Sequence, residues 1–225
     1  YLMKTMAATE NDLVVDAYAA LARLQEHPAI DPAKIGVIGF SYGAMASRYT
    51  MDDRLEALLS PNGPGFALHV DFYGPCHQDT GHRGTTGAPY LAVYGDQDNS
   101  VDPTACAVVQ QQLRDAGSPV EAHILEGAGH AWENTAPQAM SSSAYVRGCQ
   151  FTYHPETGQL EIDGIPATTA PEGSNRTQRA IARMSLGADA GHCIGQGYLV
   201  GGDPVADAQA KELLDDFLRR QFDLP

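Results

Sequence analysis

Basic residues are scarce in this sequence. Lysine and arginine together number 14 against 28 aspartates and glutamates, which leaves a formal net charge of −14. A surface this acidic repels phosphate backbones and anionic membranes, and no basic run offsets it. Nucleic acid and membrane are therefore not expected as partners. Long apolar runs are also missing; none approaches the roughly 20 residues that a membrane helix needs. There is no C-x-x-C pair among the four cysteines, Cys76, Cys106, Cys149 and Cys193. That argues against a zinc site and permits two disulfides. No internal repeat is present, and no signal peptide is visible at Tyr1.

What is present suits one globular domain. The 225 residues are 43% hydrophobic, enough for one sizeable core. Residues 9–27 read as an amphipathic helix, with Thr9 as cap and Asp12 three residues on. The apolar run Ile35–Phe40 reads as a strand, and Ser41 to about Thr50 as a helix. Further strands are expected at Ala67–Tyr73, Tyr90–Tyr94 and Val120–Leu125, with helices over 104–116 and from Asp203-Pro204 onward. Alternating strands and helices predict an α/β fold with a mostly parallel sheet and helices on both faces. Residues 133–197 break the rhythm. They are rich in Ser, Thr, Gly and Pro and contain a hairpin pattern over 150–162, turning at Pro155 to Gly158. This stretch reads as an insertion, too polar to form a core of its own and leaving the sheet beside the candidate site.

The stretch Gly39-Phe-Ser-Tyr-Gly43 fits G-x-S-x-G between a strand and a helix. That is the setting of a nucleophile elbow, in which two glycines relieve crowding around an exposed serine. An unactivated serine is a weak nucleophile and needs a base, which in turn needs an orienting acid. Asp98 follows the strand ending at Tyr94, and His130 follows the strand ending at Leu125. Right-handed crossovers bring Ser41, Asp98 and His130 to one sheet edge. Asp96 and Asp102 compete with Asp98 for the acid's role. The Tyr42 N–H is the expected oxyanion donor, and Tyr42 and Trp132 flank the site, where either serves substrate or packing. His77 and His82 fall in a polar loop that reads as solvated. His69 and Asp71 alternate along a strand, but no third ligand has metal-site spacing.

These pieces together resemble the dienelactone hydrolase family of α/β-hydrolases. The resemblance rests on Ile35–Ala44, Asp71-Phe-Tyr-Gly-Pro-Cys76, Val93-Tyr-Gly-Asp-Gln-Asp98, Gly127-Ala-Gly-His-Ala-Trp132, and Gly197-Tyr198 with Asp203, Ala206, Ala210 and Phe217-Leu218. It implies a carboxylic ester or lactone hydrolase acting on small molecules, with no cofactor and no metal. Many members use cysteine as nucleophile, whereas this chain carries Ser41. A peptidase or lipase-like acyl hydrolase of the same fold is the alternative, and a non-catalytic binding protein on the same scaffold is the rival from another class. The resemblance also implies that Cys76 pairs with Cys106 near the site. Both fall near one sheet edge, and a separate Cys149–Cys193 bond is expected to staple the insertion. Two disulfides imply an oxidising, periplasmic or secreted setting. In the family, several strands and a helix precede the counterpart of the 9–27 helix and carry a second oxyanion donor. The expected reading is thus one domain over 1–225, N-terminally incomplete, with Ile35–Phe40 left as an edge strand. Its partner is a remainder of the same protein or another copy.

Overall fold

Thr9 and Asp12 start the first helix by capping each other. The Thr9 hydroxyl accepts from the Asp12 N–H, and the Asp12 carboxylate accepts from the Thr9 N–H, opening α1 (Glu10–Gln25). The computed structural model describes residues 9–79, 84–154, 156–157 and 159–225. His82 and the ends of the 155–158 turn lie outside them.

After α1 come β1 (Val37–Phe40), α2 (Tyr42–Tyr49), α3 (Asp53–Leu59), β2 (His69–Phe72), β3 (Gln78–Asp79), β4 (Tyr90–Gly95), α4 (Pro103–Asp115) and β5 (Val120–Leu125). Strands β1, β2, β4 and β5 form one parallel sheet in the order β1-β2-β4-β5, with Gly39 opposite Asp71 and Asp71 opposite Ala92. Strand ends therefore align at one edge. β1 is an outer strand of this sheet and leaves Ile38 and Phe40 exposed.

Side-chain alternation assigns the two faces. His69 and Asp71 point to α2, where they meet Ser47, Thr50 and Arg48. Tyr90 donates to Asp71 at 2.7 Å, so it shares that face, and α4 joins it through a Gln110–Tyr94 hydrogen bond. Val70, Phe72, Leu91 and Val93 point the other way. There they meet the last helix, α6 (Pro204–Phe222), whose Arg220 reaches Glu121 beside Leu91 in register. Ala206, Ala210 and Phe217 of α6 are buried in this core.

Between β5 and α6 lies the insertion. Its elements are β6 (Ala139–Met140), β7 (Ala144–Val146), β8 (Phe151–Tyr153), β9 (Leu160–Ile162), β10 (Ile165–Pro166), α5 (Arg176–Asp189) and β11 (Ile194–Gln196), and β12 (Leu199–Val200) follows it. The expected hairpin is present as β8 and β9, and β3 of the body pairs with β8. One expectation is overturned: the insertion does have a core of its own. Alternation along β8 and β9 buries Phe151, Leu160 and Ile162 together, around Cys149 and Cys193. Both expected disulfides form, with Cα separations of 4.9 Å for Cys76–Cys106 and 5.6 Å for Cys149–Cys193. No described helix is long and apolar enough to cross a membrane.

Candidate active site

Close packing dictates Gly39 at the end of β1. A Cβ there would fall 2.3 Å from the Gly43 carbonyl oxygen and 2.5 Å from Ala44 Cα, so only glycine lets α2 begin this near the strand. Gly43 departs from expectation. A Cβ on it meets nothing within 4 Å among the described residues, because that side of the first helical turn opens onto space. Between the two, Ser41 adopts φ 53° and ψ −120°. An L residue held there is strained by about 1–3 kcal/mol. The Ser41 N–H donates to the Phe72 carbonyl oxygen at 2.9 Å, which ties the turn to β2. Its side chain makes no cap bond to α2; instead Oγ lies 2.8 Å from His130 Nε2.

His130 sits beyond β5 on the Gly127–Gly129 turn. Its N–H donates to the Leu199 carbonyl oxygen at 2.8 Å and its own carbonyl accepts from Gly201 at 2.9 Å, so the returning strand β12 fixes the backbone. Nδ1 lies 2.6 Å from Asp98 Oδ2. The other Asp98 oxygen accepts from the Ser100 hydroxyl at 2.5 Å and the Ser100 N–H at 2.9 Å. Asp98 is 2% exposed and His130 7%, so water does not compete for their hydrogen bond. The two rival aspartates are engaged elsewhere. Asp96 accepts from the Gly127 N–H, and Asp102 caps α4 and accepts from the Gly148 N–H.

Tyr73 is the site residue that sequence reading missed. It follows β2 with φ 47°, and its ring centroid lies 4.6 Å from those of both His130 and Trp132. Its hydroxyl donates to Glu133 at 2.6 Å. Tyr198 packs on His130 from another side, at 5.3 Å. Trp132 is buried against Phe72 and Tyr73, a packing position one layer behind the histidine. The only advance signal for Tyr73 was its place at a strand end before Gly74.

Tyr42 reaches the insertion with its side chain. Its hydroxyl accepts from Arg183 of α5 at 3.1 Å, and Arg183 forks onto the Glu10 carboxylate at 2.8 and 2.7 Å. Burial alone would push the Glu10 carboxyl up; Arg183 outweighs it and holds the group below the usual carboxylate range. The residue after Ser41 is thus tied to the insertion.

The remaining histidine and metal readings resolve as follows. His77 does not sit in a solvated loop: its ring packs edge-on against Phe151 at 5.1 Å, because β3 pairs with β8 there. His69 is fully buried, with Nδ1 within 3.0 Å of the Thr50 hydroxyl and 3.1 Å of the Ser47 carbonyl oxygen. Asp71 is bound to Arg48 at 2.7 Å and does not share a ligand position with His69. The described cluster of ligand-type side chains is Cys149, Asp163, His192 and Cys193, with ligating atoms within 4.8 Å of one another. Its two sulfurs are bonded to each other, which leaves only the carboxylate and the imidazole.

A sequence model of the dienelactone hydrolase family matches residues 1–156, the region that holds the elbow, Asp98 and His130. The chain belongs to the dienelactone hydrolase family. It is similar to a probable 2-oxo-3-(5-oxofuran-2-ylidene)propanoate lactonase from Bradyrhizobium sp., with 26% identity over 133 residues, covering 55% of this chain and 50% of that protein. Among solved structures it is similar to apo esterase 2 of Thermogutta terrifontis, with 23% identity, TM-score 0.45, and coverage of 56% and 57% of the two chains. It is also similar to MGS-M1, an α/β-hydrolase from a Medee basin deep-sea metagenome library, with 20% identity, TM-score 0.43, and coverage of 53% and 50%. The chain spans about half the length of the lactonase and of these structures. As a family member it has the α/β-hydrolase architecture, and the insertion's later half lies outside the matched region.

Proposed function

We propose that this protein hydrolyses small carboxylic esters or lactones through an acyl-enzyme. The observation that carries the reading is the chain of contacts from Ser41 Oγ to His130 Nε2 at 2.8 Å and from His130 Nδ1 to Asp98 at 2.6 Å. In this reading His130 takes the Ser41 proton as Oγ attacks the carbonyl carbon, then returns it to the leaving alcohol. Water repeats the sequence on the acyl-enzyme and frees the acid. Asp98 holds the imidazole tautomer that leaves Nε2 free to accept. The Tyr42 N–H, at the N-terminus of α2, faces the developing oxyanion as one donor. Family membership and the lactonase relative support ester and lactone substrates. The two disulfides suit a periplasmic or secreted location. In the same reading, insertion residues rim the site: Tyr145 packs on Tyr198, and Tyr198 on His130.

A fluorophosphonate probe is expected to label Ser41 and no residue in Ser41→Ala. Ser41→Ala and His130→Ala should each lower p-nitrophenyl acetate turnover by about 10⁴-fold or more with unchanged circular dichroism. Absence of labelling would favour a binding protein on this scaffold. Faster turnover of peptide amides than of esters would move the assignment to a peptidase.

A further inference from the structure

Ser100 follows Asp98 by two residues, on the loop between β4 and α4, and is buried. Its Oγ lies 2.5 Å from Asp98 Oδ1 and 3.2 Å from His130 Nδ1. A buried carboxylate needs donors on both oxygens. Among the described residues, His130 serves Oδ2 of Asp98, and Ser100 alone serves Oδ1, through its N–H and its hydroxyl.

The Ser100 hydroxyl has one proton and two neighbours to receive it. The carboxylate is the nearer and the stronger acceptor, so the proton goes to Asp98. The Ser100 oxygen then turns its lone pairs toward His130 Nδ1. A bare Nδ1 would face two acceptors with no proton between them. A protonated Nδ1 satisfies Asp98 Oδ2 and Ser100 Oγ together, and it leaves Nε2 to accept from Ser41. The loop itself is held by backbone and insertion. The Val101 N–H donates to the Asp98 carbonyl oxygen at 3.2 Å, Arg147 donates to Asn99 at 3.1 Å, and the Gly148 N–H donates to Asp102 at 3.1 Å. Ser100 is thus a fixed point against which the carboxylate and the imidazole are set.

We propose that Ser100 is a positioning residue for the Ser41–His130 pair. Its O–H locks the Asp98 carboxylate, and its oxygen shares the His130 Nδ1–H. It touches no reacting atom; it keeps Nε2 aimed at Ser41 Oγ while the proton passes. The kinetic consequence rests on the hydrolytic reading above, whereas the shared hydrogen bond does not.

The test compares the wild-type chain with Ser100→Ala and Ser100→Thr. Sites are counted with a fluorophosphonate, so that kcat refers to live Ser41. Ser100→Ala should lower kcat for p-nitrophenyl acetate by about tenfold and leave KM unchanged. Ser100→Thr keeps the hydroxyl and should retain most of the rate. The His130 Nδ1–H should appear as a low-field proton resonance, with a cross-peak to the Ser100 β-protons and faster solvent exchange in Ser100→Ala. An unchanged kcat in Ser100→Ala overturns the proposal. So does a loss confined to KM or to the number of labelled sites, or a threonine variant as slow as the alanine one. If Ser100→Ala does not fold, the wild-type spectrum decides, and absence of the cross-peak overturns the proposal. If the wild type neither hydrolyses esters nor labels, the hydrolytic reading falls separately. The exchange rate then decides for Ser100, and an equal rate in Ser100→Ala overturns its role.

Discussion

His69 and His77 contribute to the protein's acid sensitivity. Burial pulls both imidazoles down to about 4, against an ordinary value near 6.5. Between those values the unfolded chain binds protons that the folded chain refuses. Their contribution is therefore complete above about pH 6.5 and lost as pH falls toward 4, on the order of 3 kcal/mol for each. Urea unfolding at pH 7 and pH 4.5 should show the loss, and His69→Gln should flatten the slope by roughly half. An unchanged slope in that variant would remove His69 from the account. At this scale Ser41, Asp98 and His130 were legible because each stands just past an apolar strand, where connectivity alone brings them together. Tyr73 was not, because its place depends on a positive φ and on the rings of His130 and Trp132, which lie far along the chain.

Among the elements, the inner parallel strands were plainest to read, since β2 and β4 are buried on both faces and β4 is apolar through most of its length. Two helices were missed. α3 is seven residues long and buries no side chain fully, so its apolar pair Leu55 and Leu59 is too short a stripe to stand out. α5 buries no residue fully, and its body-facing contacts run through arginine, which hydropathy patterning scores as solvent-facing. The fork from Arg183 to Glu10 ties that helix to the body, while Leu186 packs it on the insertion's own core. Arg183→Ala should therefore loosen the insertion selectively. The expected outcome is trypsin cleavage within 140–197 about tenfold faster at native conditions, with β1 to β5 still protected. Arg183→Lys should recover only part, since an ammonium cannot form the fork to Glu10. If Arg183→Ala is cleaved at the parental rate, the docking rests on the β3–β8 pairing instead.

At the scale of the whole molecule, two cross-links divide the labour. Cys76–Cys106 spans 30 residues of the body, and Cys149–Cys193 spans 44 residues within the insertion. Each stabilises by about 3–4 kcal/mol through the loop it closes. Cys149→Ser with Cys193→Ser should split thermal unfolding into two calorimetric transitions, the insertion melting first. Cys76→Ser with Cys106→Ser should instead lower the main transition. A single unchanged transition in the first variant would show that the insertion does not melt as a unit. The charge of −14 acts over the entire surface, and added salt should raise the main transition by relieving self-repulsion.

The backbone at Ser41 has a consequence for durability. Glycine is the one residue at ease at φ 53° and ψ −120°. Ser41→Gly should therefore outlast its parent in a thermal challenge, by about 1 kcal/mol once the looser unfolded chain is counted. Ser41→Ala, which keeps the Cβ, should show no such gain. A molecule tuned only for endurance would carry glycine at position 41; the hydroxyl is the one thing serine brings that glycine cannot.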